Sequence, residues 1–394
     1  MHPLARLWEK ESRLVIGLMS GTSADGIDAA LTRITGNGKD TKVEQLDFVF
    51  VPFPQNIREK ILFIAGGGEL TAGELCKFKT LLGVLYADAC VLLCEHAGVS
   101  KDEIDLIGNH GQTIWHIPVE EEYLGRKFAA TLQVGEDAQI AEVMHCPVVG
   151  DFRVRDVAAG GQGAPLVPYT EYVLFCDKKE NVAFQNIGGI GNITILPANC
   201  KMEDVIAFDT GPGNMVIDAL VNHYTKGKET FDDGGRMAAS GKVSPTLLEF
   251  MMNDSYLDKP LPKTTGRELY GPRYVKRLIE EAEKEGVAMQ DVIATATLFT
   301  AKSIEAGIRK FSPVKLSRLV IGGGGSKNET LLSNLQQLLP ETKVLTGEDL
   351  GYSSDAKEAV AFAILANETI FGNTNNVPAV TGARGGVVMG KVTI

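Results

Sequence analysis

The stretch LVIGLMSGTSADGIDAA, residues 14–30, decides the fold. Leu14 to Met19 is an apolar run suited to a buried strand, and from Ile27 onward apolar and polar residues alternate as a second strand requires. Between them, Ser20 to Gly26 makes a turn too long and too polar for mere reversal. Gly21 and Gly26 let backbone approach a ligand, while Ser20, Thr22 and Ser23 add hydroxyls to the turn's N–H groups. Such a turn suits a bound phosphate. An ordinary hairpin loop is the other reading of this stretch.

Working outward, Lys42 to Phe53 reads as a third strand, followed by helices from Gln55 to Ile64 and from Thr71 to about Ala97. Asp105 to His110 reads as a short buried strand ending in a polar turn, His110 to Thr113. Thr131 to Gly135 is a strand, Asp137 to His145 a helix and Pro147 to Asp151 a strand. This order predicts an α/β domain with a mixed sheet. In residues 151–168, DFRVRDVAAGGQGAPLVP, the composition shifts, which predicts a domain junction with Gly160, Gly161 and Gly163 as hinges.

The second half repeats the outline with different residues: strands at Asn181 to Gly189, Asn192 to Leu196 and Val205 to Asp209, then a helix from Met215 to about Tyr224. A shared pattern without shared sequence predicts two similar domains, 1–155 and 156–394. Further on come polar loops with a small helical insertion, where Arg236, Lys263 and Arg267 could reach an anionic ligand but read first as solvated surface. A long helix, Asp291 to Phe311, then feeds a strand at Leu319 to Ile321, Gly322 to Gly325, and a helix from about Asn328. A last inner strand, Lys343 to Leu345, and a last helix, Asp355 to Asn367, precede a tail that could pack on either domain.

A chain of 394 residues exceeds one core, and 44% hydrophobic with 23% charged residues is ordinary for a globular protein. The net charge of -11 leaves no basic footprint for a nucleic acid. No run reaches the length of a membrane span, and the opening MHPLARLWEKESR has no signal-peptide apolar segment, so a cytoplasmic protein is expected. Six scattered cysteines without a Cys-x-x-Cys pair predict reduced thiols.

Three glycine clusters follow strands: Gly21 to Gly26, Gly188 to Gly191, and Gly322 to Gly325. None fits a P-loop or a complete dinucleotide fingerprint. Two hairpin turns from opposed domains can grip the phosphates of a nucleotide, and the four-glycine element offers bare backbone to a base or ribose.

With GLMSGTSADGID (17–28), NHGQTI (109–114), DFRVRDVAAGGQGAPLVP (151–168), NIGGIGN (186–192), FDTGPGN (208–214) and KTTGRE (263–268), the chain resembles the acetate and sugar kinase, heat-shock protein and actin superfamily. Within it, the chain is similar to the anhydro-N-acetylmuramic acid kinase family. The resemblance implies two RNase-H-like, actin-like ATPase domains whose mixed sheets face each other across a nucleotide cleft, with ATP and Mg2+ as cofactors and a homodimer. The implied reaction opens the 1,6-anhydro ring with water and phosphorylates O6, in recycling of cell-wall sugars. Another sugar kinase of the superfamily, or a non-metabolic actin-like ATPase switch, stays open on fold alone.

The same resemblance implies roles for single residues. Asp209 corresponds to the catalytic base, and Glu358 could help hold the attacking water, a solvent-facing glutamate being the alternative. The ATP-binding set would be Gly21, Thr22, Ser23, Ala24, Asp25, Gly26, Ile27 and Asp28 in the first turn, and Asn186, Gly188, Gly189, Gly191 and Asn192 in the second. Gly322, Gly323, Gly324 and Asn328 would complete it. Arg155 and Asp156 would lie at the sugar, with a structural salt bridge as the alternative, and His110 and Gln112 would line its pocket unless His110 is a core residue. Many superfamily members carry an Asp at the first phosphate turn and another at the second, where this chain has Met19 or Ser20 and Asn186. No metal ligand is therefore assigned, and phosphates and water would do more of the coordination.

Overall fold

The computed structural model describes residues 3–177, 179–350 and 353–394. The chain forms two compact units, Met1–Leu174 with Asp355–Ile394, and Phe175–Ser354. The first contains β1 (Ser12–Ser20), β2 (Gly26–Thr35), β3 (Lys42–Pro52), β4 (Leu106–Tyr123), β5 (Arg126–Val134) and β6 (Val148–Gly150). Its sheet runs β3-β2-β1-β4-β6, with β1 to β3 antiparallel and β4 and β6 added parallel; β5 pairs with β4. The second unit contains β7 (Val182–Ile187), β8 (Ile190–Leu196), β9 (Ile206–Pro212), β10 (Arg318–Gly322) and β11 (Lys343–Thr346). Their order, β9-β8-β7-β10-β11, follows the same rule: three antiparallel strands, then two parallel ones beside the first. Both sheets thus share one arrangement, as the repeated outline predicts, and it is the RNase-H-like one that the resemblance implies. The six cysteines are free thiols in the structure.

Strand β1 is buried along nearly its whole length because helices cover both faces of its sheet. On one face lies Ala72–Ala97, started by a Thr71/Glu74 capping box and ended by Gly98 in the left-handed region. On the other lies Lys357–Ile370, which packs on β1, β2 and β4 and is apolar nearly all round, as a doubly buried helix must be. That approach needs missing side chains. A Cβ at Gly17 would collide with the Ala359 carbonyl, and one at Gly108 with the Phe362 carbonyl.

These contacts correct the expected boundary at 155/156. Residues 156–174 and the helix Lys357–Ile370 belong to the first unit, and so does the tail, whose strand β12 (Lys391–Thr393) pairs antiparallel with β6. The segment 151–168 is not a junction. Its helix Phe152–Ala158 sends the fully buried Asp156 carboxylate to Asn376 Nδ2 (2.7 Å), Thr381 Oγ1 (2.8 Å) and Gly163 N (2.9 Å), bolting the tail to the unit. The expected turn at 110–113 is also absent. Gly111, at φ 70°, accommodates a local irregularity while β4 runs on to Tyr123 alongside β5.

In the second unit the helix Met289–Phe311 links two cores. Ala301, Ile304 and Ile308 pack with the sheet, whereas Val292, Ile293, Ala296 and Phe299 pack with the helices Met215–Tyr224, Pro245–Met252 and Pro272–Lys284.

Gly17→Ala is expected to destabilise the first unit by on the order of 3 kcal/mol or more, because the obstacle is helix backbone that cannot rotate away. A denaturant midpoint within error of the parent protein would contradict this packing.

Candidate active site

The first glycine turn is fixed from beneath. Ser20 Oγ shares a hydrogen bond with the buried Tyr86 hydroxyl and donates to Gly111 O (3.3 Å), and Gln112 Nε2 donates to Gly21 O (3.1 Å). Thr22 and Ser23 stay exposed at the tip, and the space over Gly21 is open. Other members of the expected ATP set are occupied by the fold. Ala24 and Ile27 are buried in the core, Asp25 pairs with Arg58 (3.0 Å), and the space at Gly26 is taken by Val51 O and the Phe50 ring. The side chains of Ala24 and Ile27 therefore cannot face a nucleotide.

Asp28, on β2 just past the turn, has its carboxyl pushed up to about 7 by burial, then by Glu358 and Asp355. Glu358, exposed at the start of its helix, also adds negative potential at Arg153. Arg153 is a residue that the sequence reading missed. Its Nε donates to His110 Nε2 (3.0 Å) and its NH1 to Gly163 O (2.7 Å), while burial pulls it down to about 10. Arginine only donates, so Nε2 is the bare nitrogen of His110 and Nδ1 carries the proton. Among the described residues Nδ1 meets no partner at good hydrogen-bond geometry, although the Gly111 and Ser20 backbone lies near enough to favour its proton, and the ring packs on Phe362 at 4.7 Å, tilted by 43°. Burial, then Arg153, holds His110 well below the usual histidine range.

Arg155, in contrast, is exposed and makes no side-chain hydrogen bond or ion pair among the described residues. Asp156 departs from the expectation that it touches the sugar: it is fully buried, its Oδ1 accepting from the tail's Asn376 and Thr381 and its Oδ2 from Gly163 N. Gln112 is fully buried and serves the first turn.

In the second unit the hairpin turn between β7 and β8 is built against two other glycine segments. Gly213 N donates to Gly189 O (2.9 Å), Asn214 N to Gly188 O (2.7 Å) and Asn214 Nδ2 to Ile187 O (3.1 Å). A Cβ at Gly213 would collide with Gly188 O, one at Gly323 would lie 2.7 Å from Asn186 Oδ1, and one at Gly191 would lie 2.7 Å from Thr210 Oγ1. These glycines serve chain packing. Gly188, Gly189 and Gly324 meet nothing closer than 3.4 Å, so space is open beside them, although the Gly188 N–H already donates to Ile190 O (3.2 Å). Asn192 pairs across the ladder with Asp209. Asn328 is nearly buried, its Oδ1 accepting from Leu331 N (2.9 Å) as a helix cap, so that oxygen is spoken for.

Asp209 lies midway along β9, which runs on to Pro212 instead of ending at this residue as the sequence predicts, and is held at three points. Its N–H donates to Lys263 O (3.3 Å), its carbonyl accepts from the Tyr256 hydroxyl (2.9 Å), and Oδ2 accepts from Thr265 N (2.9 Å). Burial, with Glu268 adding to it, pushes the carboxyl up to about 6, against the pull of the Thr265 N–H and of Lys263. Lys263 is not solvated surface as expected: only 2% of it is exposed. Arg236 is exposed and paired with Asp233, and Arg267 is exposed.

The family model for anhydro-N-acetylmuramic acid kinase matches residues 13–394, from the start of β1 to the end of the chain. The chain belongs to the anhydro-N-acetylmuramic acid kinase family. It is 52% identical over 396 residues to an anhydro-N-acetylmuramic acid kinase of Caldanaerobacter subterraneus subsp. tengcongensis, with all of both chains covered. It is 44% identical over 380 residues to one of Clostridioides difficile, covering 96% of this chain and 97% of that one. A Bacillus cereus relative of the same name is also 44% identical, at 96% and 98% coverage. Membership in the anhydro-N-acetylmuramic acid kinase family makes the protein a sugar kinase.

Among the described residues, no group of three or more histidine, cysteine, aspartate or glutamate side chains is arranged to hold a metal ion.

The pairing of His110 with Arg153 predicts that the His110 ring signal does not move in an NMR titration from about pH 5 to about pH 8. A midpoint inside that window would contradict the neutral tautomer.

Proposed function

We propose that the protein uses ATP to open the 1,6-anhydro ring of 1,6-anhydro-N-acetylmuramic acid with water and to phosphorylate O6, giving N-acetylmuramic acid 6-phosphate and ADP in peptidoglycan recycling. What carries the reading is Asp209, a carboxylate fixed at backbone and side chain, beside a glycine turn, with its proton affinity raised to about 6. A general base works best with a pKa near the working pH, and burial moves this carboxyl toward it.

Asp209 takes a proton from water as the oxygen attacks C1. The C1–O6 bond breaks, and the electron pair left on O6 attacks the γ-phosphorus, so that ADP departs. Hydrolysis supplies the nucleophile for transfer, and positioning supplies much of the rate. We assign the open space beside Gly21 and beside Gly188 and Gly189 to phosphate oxygens, with the Gly189 N–H as donor in the second turn, since that of Gly188 is bonded to Ile190 O, and with Thr22 and Ser23 adding hydroxyl donors in the first. We assign Gly324 and its neighbours to the nucleoside. Arg155, whose guanidinium is uncommitted, would clamp the lactyl carboxylate. Glu358 would orient the water, while His110, held in one tautomer by Arg153, would offer a neutral ring to the sugar pocket. Magnesium bound with the nucleotide would neutralise phosphate charge, its ligands coming from phosphate and water. A cytoplasmic homodimer belongs to the same reading and rests on the family resemblance.

ADP release with ATP and the anhydro sugar, against a control without sugar, tests the activity; equal rates would reject it. Asp209→Asn is expected to lower kcat by ~10²-fold or more with ATP affinity retained. The base must be ionised to work, so kcat/KM should fall as pH drops through about 6. Near-parental turnover of Asp209→Asn would remove the assignment. Arg155→Ala should raise the sugar KM by ~10-fold or more, as loss of a charge-assisted clamp demands, and an unchanged KM would count against it.

A further inference from the structure

Lys263 holds a buried ammonium that packing does not require. Its Nζ lies 4.6 Å from the Tyr256 ring centroid, 5.3 Å from Phe311 and 5.6 Å from Phe208, and makes one long hydrogen bond, 3.4 Å, to Tyr256 O. It forms no ion pair among the described residues. Three ring faces stand in for part of the lost water, yet a methionine would fill such a box without the cost of burying a charge. The box is also part of the frame around Asp209: Phe208 precedes it in β9, Tyr256 bonds its carbonyl, and Lys263 O accepts its N–H.

We propose that Lys263 is a positioning residue for Asp209, its caged ammonium keeping that carboxylate charged and seated on the Thr265 N–H until the water proton is taken. The proposal rests on the base role given to Asp209, and it explains why the cation is boxed by rings. A direct ion pair would hold the carboxylate too firmly in its charged form, whereas a cation at a distance lowers its proton affinity without occupying its oxygens. The charged groups around the pair come from several elements. Lys310 on the helix Met289–Phe311 opposes the Lys263 charge, and Asp209, Asp258 and Asp254 favour it. Glu268 opposes the Asp209 charge. With burial these leave Lys263 at about 8, so it titrates above Asp209 and remains charged where the base works.

The test is a carbon-13 NMR titration of aspartate-labelled protein, with Asp209 assigned by its loss in Asp209→Asn. In the parent protein the Asp209 carboxyl signal should move twice, near pH 6 and again near pH 8 as Lys263 loses its proton. Lys263→Met should abolish the second movement and raise the first midpoint by about half a pH unit or more, as loss of a nearby cation requires. Lys263→Arg should keep the first midpoint. In kinetics, Lys263→Met should shift the acid limb of kcat/KM the same way and leave the KM for ATP unchanged. A single movement in the parent protein, or an unmoved midpoint in folded Lys263→Met, would overturn the proposal. The titration needs no substrate, so absence of kinase activity would reject the base role without mimicking either result.

Discussion

Where the helix Lys357–Ile370 crosses the first sheet, the carbonyls of Ala359 and Phe362 occupy space that side chains at positions 17 and 108 would need. That backbone-to-backbone approach decides which residues belong to which unit. It brings Glu358 from late in the chain to Asp28 and Arg153, residues of the hairpin and of the helix after β6. Without it, the first glycine turn would have neither its acidic neighbour nor its second layer. The same principle operates in the second unit, where missing side chains at Gly213 and Gly323 allow three glycine segments to stack.

The glycines accordingly fall into two groups that a sequence cannot separate. Gly26, Gly191, Gly213 and Gly323 are crowded by their own chain, while Gly21, Gly188, Gly189 and Gly324 have open space beside them. Only the second group offers backbone to a ligand. A glycine-rich turn is therefore partly a packing device and partly a surface, and the split depends on segments far away in sequence.

Much of the fold was legible because it rests on local periodicity. The apolar run before Ser20, the alternation after Ile27 and the repeat of that pattern from Asn181 are enough to specify two sheets of one kind. The errors lie where distant contacts override local composition. His110 to Thr113 looks like a turn, but pairing with β5 keeps it in a strand. The segment 151–168 looks like a linker, yet Asp156 is spent on Asn376 and Thr381, more than 200 residues on. Lys263 looks solvated because lysines usually are; three aromatic rings from separate segments bury it. Asp209 could be singled out by its motif, but its hydrogen bonds from Tyr256 and Thr265 could not.

Asp28 and Asp209, two carboxyls that burial raises, differ in what surrounds them. Asp28 faces other acids, whereas Asp209, beside Glu268, also has a backbone N–H and a lysine that favour its charged form. On the proposed mechanism this contrast favours Asp209 over Asp28 as the base. The most direct measurement is the reaction in water enriched in oxygen-18, stopped early, before the sugar exchanges its anomeric oxygen with solvent. The account predicts one labelled oxygen at C1 of the phosphorylated sugar and none in the phosphate ester. An unlabelled C1 would contradict it.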